Sequence, residues 1–339
     1  MTGKRKKWRV PVLAAIVIAL LITPAATGTD NALKVKPAVE KTVSYLLAQE
    51  KTQGQPLSPW SYVALAGAGQ KLAGSMVLQS CAQQSDSLQS GELNGYSLLV
   101  LTLLAAGGDP YDYKGQNLIR EISAAQLPDG KFADNIDRSG AGDNGEQVLL
   151  NTHVWAVLAL HAARAETPGA GKAKQWLLDR QHADGSFYWY TGEEKSDVDS
   201  TGMALTALGI LGENKDSPAV RKAAAYLKSV QENDGGFASW GAANPESCRY
   251  VIEGLTAAGM DPAGADWTKD GGNPVSALMS YQLPDGSFEH AKGTGSNAMS
   301  TEQALLGLSD YYCGNTVIER LGRKNPPAAG TDGKTRLNR

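Results

Sequence analysis

The stretch QHADGSF, from Gln181 to Phe187, decides the fold because it is one of four copies of a single pattern. The other copies, QLPDGKF, QENDGGF and QLPDGSF, begin at Gln126, Gln231 and Gln282. Successive copies start 55, 50 and 51 residues apart, and all four phenylalanines of the chain stand at the last position of the pattern. A fixed period of this size indicates stacked supersecondary units, so we expect one repeated joint between neighbouring units.

Each unit divides into two helices, one before the pattern and one after it. PAVRKAAAYLKSV, at 218–230, carries apolar residues at helical spacing and basic residues on the other face, which predicts an amphipathic outer helix. STGMALTALGILG, at 200–212, is apolar nearly all round, as in a helix that is buried on every side. Within the pattern, Gln can bond free backbone groups at a helix end, Asp-Gly favours a turn, and the aromatic ring can fill the seam.

Two further units lack the phenylalanine. PAVEKTVSYLLAQEKTQG at 37–54 aligns without a gap with PAVRKAAAYLKSVQENDG at 218–235, and NGYSLLVLTLLAAGGDP at 94–110 resembles CRYVIEGLTAAGMDP at 248–262. The sequence therefore predicts an all-α fold, an (α/α)6 toroid of six helix pairs over residues 36–313, with an open superhelix as the alternative. The inner helices are expected near residues 59–69, 94–107, 150–163, 199–212, 246–259 and 300–312.

The N-terminus has the features of a targeting segment. Five basic residues precede an apolar run of 13 residues, Val10 to Ile22, and small residues follow. This order is typical of a secretory signal, and the run is shorter than the ~20 residues that spanning a bilayer needs. Residues 1–28 are therefore interpreted as a signal peptide or a membrane anchor. Either interpretation places the toroid outside the cell or at its surface and limits membrane contact to this segment.

The net charge, the cysteines and the polar C-terminal stretch limit which partners, disulfides and ordered segments we expect. The formal net charge is −3 although five positive charges lie in the targeting segment, which argues against a nucleic-acid partner. Three cysteines, Cys81, Cys248 and Cys313, allow one disulfide after export, and their pairing stays open. The polar stretch 314–339 is expected to be a disordered tail.

The connecting loops predict where a ligand binds. Connections that leave the buried helices are short and contain proline, whereas those that carry the pattern are long, as at 133–150 and 188–198. The long loops and the N-termini of the inner helices should therefore gather at one rim, where we expect a small-molecule or protein ligand. A core position is the favoured interpretation of His153, and loop packing explains the loop aromatics as well as ligand binding does. The candidate ligand-binding residues are His153, Tyr188, Trp189, Tyr190, Trp240, Arg249 and Tyr250.

Two acidic residues, Asp197 and Asp199, stand where the fourth inner helix begins, in SDVDSTGMAL. One interpretation is structural: Asp199 or Ser200 caps the helix and accepts its free backbone amides. The other is catalytic, because a carboxylic acid kept protonated in a dry pocket can donate its proton to a substrate.

The pattern Gln-x3-Gly-x-Phe resembles the QW repeat of squalene cyclases and other terpenoid cyclases, with Phe in the usual Trp position. The β subunits of protein prenyltransferases and the carriers of the transcobalamin type share the same α/α toroid. The resemblance covers roughly residues 36–313 and implies the fold more specifically than the function.

Two short motifs extend the resemblance. SDVDS is similar to the Asp-x-Asp-Asp-Thr-Ala signature of class II terpenoid cyclases, which implies that Asp199 protonates an alkene or epoxide and that Asp197 is the first acidic residue. Ser200 replaces the third Asp of that signature. ESCRY resembles the Asp-x-Cys part of the prenyltransferase zinc site, through Glu246 and Cys248. The histidine ligand of that site falls near residue 300, a serine, so no metal is predicted.

Three functions are compatible with these observations. The favoured expectation is an exported, non-catalytic toroid that binds a large or apolar ligand, such as a corrinoid, or a partner protein, with its cofactor unknown. The alternative is a terpenoid cyclase-like or prenyltransferase-like enzyme with Asp199 as the general acid. A carbohydrate-active enzyme is the third, for which the chain offers no matched pair of carboxylates beyond Asp197 and Asp199.

Overall fold

The computed structural model describes residues 29–72, 74–88, 91–140, 148–193, 195–239 and 241–324. Within them the chain forms 13 α-helices and two short two-stranded ribbons, β1 (Ala238–Ser239) with β2 (Ala242–Ala243) and β3 (Phe288–Glu289) with β4 (Ser296–Asn297). The helices are α1 (Thr29–Gln53), α2 (Pro59–Gly67), α3 (Ser75–Ser87), α4 (Leu93–Ala105), α5 (Leu118–Ala124), α6 (Leu150–Ala162), α7 (Ala170–Leu178), α8 (Val198–Ile210), α9 (Pro218–Val230), α10 (Pro245–Ala257), α11 (Pro274–Met279), α12 (Ala298–Cys313) and α13 (Val317–Lys324).

The even-numbered helices α2 to α12 form a closed inner ring. Each packs against the next one along the chain, and α12 packs against α2. The odd-numbered helices α1 to α11 pack outside them, so the predicted toroid of six helix pairs is confirmed and the open superhelix is excluded. Burial follows the same division: α6 is buried along almost its whole length, whereas α9 buries only one face, through Val220, Ala223, Tyr226 and Leu227.

The repeated pattern forms the joint between neighbouring pairs. The ring of each of its four phenylalanines is fully buried. The Gln181 side chain donates hydrogen bonds to the Gly185 carbonyl at 3.0 Å and to the Ala219 carbonyl, in the next outer helix, at 2.8 Å. Gln282 makes the corresponding bond to the Ala38 carbonyl at 2.9 Å and thereby ties the last unit to α1. The same side chain that joins neighbouring units therefore also closes the ring.

Glycine is required at the turn of this joint. Gly185 has a φ of 95°, and a Cβ added there would lie 2.2 Å from the Lys222 carbonyl oxygen. Only glycine combines the left-handed backbone with such a close approach of the next outer helix.

A second contact links the joint to the inner helix. The Phe187 amide donates to Thr201 Oγ1 at 2.9 Å, and the Phe288 amide donates to Thr301 Oγ1 at 2.9 Å. Thr201 and Thr301 are each the fourth residue of their inner helix. His153 holds the fourth position of α6 and accepts the Phe132 amide on Nδ1 at 3.1 Å. Cys248 holds that position in α10, where the Phe237 backbone bonds it. The chain therefore uses the fourth position to hold the backbone of the phenylalanine.

The helix α13 corrects the expected extent of the C-terminal tail. Its residues Val317, Ile318 and Leu321 are fully buried against the inner ring, because the helix is amphipathic. Arg320 Nε donates to the carbonyl of Gly67, the last residue of α2, at 3.0 Å, so α13 covers the C-terminal end of the ring.

Several expectations concern parts of the chain beyond this core. Residues 1–28 and 325–339, which contain the targeting segment and most of the predicted tail, lie outside the described residues. Among the residues that are described, no helix combines the length and hydropathy needed to cross a membrane. The three cysteines are not joined in disulfides.

Candidate functional site

The first turns of the inner helices meet at one rim, as the loop lengths predict. At one point of this rim, Ser300 in the first turn of α12 contacts Glu246 in the first turn of α10. At another, the Ser61 hydroxyl in α2 donates to Glu302 Oε2 in α12 at 2.8 Å. The N-termini of the inner helices therefore face the same side of the molecule.

Asp197 is the N-cap of α8, which corrects the expectation that Asp199 or Ser200 caps this helix. Its Oδ2 accepts the Ser200 amide at 2.8 Å and the Ser200 hydroxyl at 2.5 Å. Its Oδ1 accepts the Ser239 hydroxyl at 2.8 Å. Both oxygens of Asp197 are therefore occupied, and Asp199 is free of the capping role.

Asp199 is half-buried in the first turn of α8, and its Oδ1 has no hydrogen-bond partner among the described residues. The pKa of Asp199 is raised to about 7, first by burial and then by the negative charge of Asp197, with a smaller contribution from Glu246. Ser247 and Arg249 oppose the shift. In a large fraction of the molecules Asp199 is therefore protonated near neutral pH and able to act as an acid.

Small residues bring α10 against α8 at this point. A Cβ added to Gly202 would lie 2.5 Å from the Tyr250 carbonyl oxygen, and one added to Gly254 would lie 2.6 Å from the Gly202 carbonyl oxygen. The two backbones are therefore too close for any side chain at these positions. This approach places the first turn of α10, with Glu246 and Ser247, beside Asp199.

Glu246 lies between two polar side chains at the rim. The Ser300 hydroxyl donates to Glu246 Oε1 at 2.5 Å, and His290 Nδ1 lies 3.0 Å from Oε2. Glu246 is buried, whereas the side chain of His290 is 47% exposed. Cys248 turns away from this cluster to the joint at Phe237, and burial raises the pKa of its thiol to about 12.

Side chains from three alternate inner helices meet on the axis of the ring. Trp60 of α2 and Trp155 of α6 have ring centroids 4.9 Å apart. Arg249 of α10 lies with its guanidinium carbon 6.0 Å from the Trp155 ring and 4.4 Å from the Tyr250 ring. We call these side chains the aromatic floor of the ring.

Buried charges continue below this floor. Arg249 pairs with Glu253 at 3.0 Å, and each side chain is 1% exposed. Arg320 of α13 pairs with Asp310 at 2.8 Å, and burial raises the pKa of Asp310 to about 7. The interior of the ring is therefore a packed, partly ionic core.

The predicted ligand-binding residues divide between rim and core. Arg249 and Tyr250 belong to the floor. His153 does not line the rim: it is fully buried, its ring lies 4.7 Å from that of Trp176 in α7, and burial lowers its pKa to about 3. Its role is to hold the joint.

The loop aromatics pack closely. Tyr188 is buried and stacks on His182, with 4.8 Å between ring centroids. Trp189 and Tyr190 are half-buried where their strand-like segment pairs with the start of α6. Trp240 lies outside the described residues. Loop packing thus accounts for Tyr188, while Trp189 and Tyr190 border the rim.

Sequence reasoning missed the pairing of Glu246 with His290 and the part played by Trp60 and Trp155 in the floor. The sequence did carry one indication for Trp155. It follows His153 by two residues on α6, so the two side chains point to opposite sides of the helix. The contact of Glu246 with His290 joins residues 44 positions apart and had no local signal.

Two family models match the chain. The prenyltransferase alpha-alpha toroid domain matches residues 75–248, half of the chain, and the squalene-hopene cyclase C-terminal domain matches residues 193–305. Drimenyl diphosphate synthases of Streptomyces showdoensis and Streptantibioticus cattleyicolor are 28% identical over 115 residues, which is 34% of this chain and 21% of theirs. The matched stretch thus spans about a fifth of the length of these relatives.

Solved structures share the fold. The type II terpene cyclase MstE from Scytonema has a TM-score of 0.57 at 14% identity, over 82% of this chain and 98% of that one. Candida albicans protein geranylgeranyltransferase-I has a TM-score of 0.53 at 15% identity, over 80% and 90% of the two chains.

These comparisons correct the favoured functional expectation. A non-catalytic, ligand-carrying toroid is contradicted, because the proteins that resemble this chain are synthases, cyclases and transferases. They support the alternative, an enzyme of the terpenoid cyclase or prenyltransferase type.

Proposed function

Because the chain belongs to the prenyltransferase alpha-alpha toroid family, we propose that it is an enzyme of the terpenoid cyclase type, with Asp199 as the general acid. The observation that carries the proposal is the state of Asp199: a half-buried carboxyl at the rim, with one oxygen unpartnered among the described residues and a pKa raised to about 7. A prenyltransferase-type reaction is less well supported, because Cys248 is engaged in the joint.

The proposed reaction begins with proton transfer. Asp199 gives its proton to the end of an isoprenoid chain, where the electron pair of the C=C bond forms the new C–H bond and leaves a tertiary cation. The next C=C bond attacks this cation and closes a ring. Burial and the charges of Asp197 and Glu246 supply what the first step needs, an acid that stays protonated and is ready to donate.

The neighbouring residues have distinct roles in this proposal. Asp197, fixed by three hydrogen bonds, holds the start of α8 and raises the pKa of Asp199 without donating a proton itself. Trp60 and Trp155 offer aromatic faces to the developing cation. The charge of Arg249 is balanced by Glu253, so it does not repel the cation at full strength.

The proposed substrate is a small isoprenoid. Relatives named as drimenyl diphosphate synthases and a structural neighbour solved with GGPP support a prenyl diphosphate. The aromatic floor supports an apolar reacting end.

The test is an incubation of the purified protein with prenyl diphosphates and with squalene, followed by mass spectrometry of the hexane extract after phosphatase treatment. We expect a cyclised product from the wild type and none from Asp199→Asn. Asp266→Asn is the matched control, because the Asp266 side chain is 93% exposed and lies in the connection between α10 and α11. Undiminished cyclisation by Asp199→Asn contradicts the assignment of the acid.

We also propose that residues 1–28 direct export, on the strength of their basic start and short apolar run. A tagged full-length chain should then fractionate with the medium or the cell surface, and the same chain lacking residues 2–28 should stay in the cytoplasm. Equal cytoplasmic retention of both contradicts export.

A further inference from the structure

Glu246 is a second buried carboxyl at the rim, and its surroundings are those of a proton acceptor. Ser300 donates to one of its oxygens at 2.5 Å, and His290 Nδ1 lies 3.0 Å from the other. Each oxygen keeps a second lone pair, because a carboxylate has about four acceptor sites. Glu246 thus connects the buried side of the rim to an imidazole that is 47% exposed to solvent.

The charged groups that face Asp199 leave Glu246 as the available base. These groups are Asp197, Glu246 and Arg249. Asp197 accepts three hydrogen bonds and serves as the helix cap. Arg249 is a permanent cation that pairs with Glu253 and cannot accept a proton. Glu246 stands one inner helix away from the acid, on the helix that the glycine contacts bring against α8.

We propose that Glu246 is the base that ends the cyclisation and that His290 passes the released proton to solvent. This inference rests on the proposed function of Asp199. In the closing step the C–H bond next to the cationic carbon breaks, its electron pair forms the C=C bond of the product, and the proton forms an O–H bond on Glu246. Glu246 then protonates His290, which releases the proton to water, while Asp199 takes a proton back from solvent. The substrate is isomerised with no net gain or loss of protons.

The experiment compares product composition in Glu246→Gln with that of the wild type. Glutamine keeps an acceptor oxygen for Ser300 but cannot take up the proton, so the cation must be quenched elsewhere. We expect formation of the wild-type product to fall by about a hundredfold. Alkene isomers or a water-derived alcohol should replace part of it. A merely structural role for Glu246 lowers all products together and leaves their ratio unchanged, which overturns the proposal.

A second variant tests the route to solvent. His290→Ala should lower turnover by about tenfold without changing the product, and added imidazole should restore it. His161→Ala is the matched control, because His161 lies exposed in the last turn of α6, at the opposite end of the ring. Wild-type turnover in His290→Ala, or a loss that imidazole does not restore, contradicts this route.

The outcomes separate this inference from the proposed function. Absence of cyclisation in the wild type, or its persistence in Asp199→Asn, removes the proposed function itself. Cyclisation that depends on Asp199 but gives the same product ratio in Glu246→Gln removes only the role of Glu246 as the base. Circular dichroism and a thermal melt on each variant show whether the fold is retained.

Discussion

Replacing the proposed acid should make the protein more stable, and the gain should depend on pH. The pKa of Asp199 is raised from 3.8 to about 7 in the folded protein, mainly by burial. A carboxyl whose pKa is raised by folding does not destabilise the folded protein below about pH 4, because the carboxyl is then protonated in both the folded and the unfolded state. As the pH rises towards 7, the unfolded chain gains free energy from ionisation that the folded chain cannot yet gain, so the folded protein loses relative stability.

The size of the effect follows from the shift. A difference of about three pKa units corresponds to ~4 kcal/mol, as an order of magnitude, and is reached near pH 7. At pH 5 the pH exceeds the pKa of the unfolded carboxyl by about one unit. Ionisation therefore favours the unfolded state, and the folded protein loses roughly 1–2 kcal/mol of stability. Asn cannot ionise. We therefore expect Asp199→Asn to exceed the wild type in free energy of unfolding by a margin that grows between pH 5 and pH 7 and then levels off.

The assay is urea unfolding of both proteins, followed by circular dichroism at pH 5, 6, 7 and 8. The exposed variant Asp266→Asn is the control and should show no such trend. A constant difference across this range, or an Asp199→Asn variant that is less stable at pH 7, refutes the argument that folding keeps Asp199 protonated. Loss of activity together with a gain in stability is the combination expected of a strained catalytic acid.

Three further predictions concern the scaffold and can be tested by thermal unfolding. Gly202→Ala places a Cβ 2.5 Å from a backbone oxygen of α10 and should cost about 1–3 kcal/mol and lower activity, whereas Gly171→Ala, which meets nothing within 4 Å, should be neutral or stabilising; equal melting temperatures contradict the close packing. Arg320→Ala leaves Asp310 buried without its cation and should cost about 3–5 kcal/mol, with exposed Arg323→Ala as a silent control; a loss below about 1 kcal/mol argues against α13 as part of the core. Phe187→Ala empties one joint and should cost about 3–5 kcal/mol, and a much smaller loss means that the joint is not tightly packed.

The fold could be predicted from the sequence because the features that define the repeat are local. A turn, an adjoining amphipathic helix and a buried helix depend on residues within about 50 positions, and each copy reports the same arrangement again. For this reason the predicted ranges of the inner helices agree closely with those of the even-numbered helices α2 to α12. The stretch after residue 313 gave a different result, because α13 gains its stability from the ring that it covers and not from its own polar sequence.

The sequence could identify only some residues of the candidate site. Asp199 was visible because it stands in a short motif at a helix start, although the motif could not show that Asp197 takes the capping role. The sequence favoured a core position for His153 near the rim, but only the rotation of α6 shows that its side chain holds the joint. Rotation of a helix that is apolar nearly all round is set by its neighbours and leaves little trace in its own pattern.

The amino-acid sequence by itself determined that this protein is a ring of six helix pairs and that an acidic pair begins its fourth inner helix, since both depend on spacing along the chain. Only the tertiary structure decided which of the two carboxyls caps the helix, that Glu246 meets His290 and Ser300, and that Trp60, Trp155 and Arg249 meet inside the ring. Those relations join residues far apart in the chain, and they arise because ring closure brings the first turns of separate inner helices to one rim.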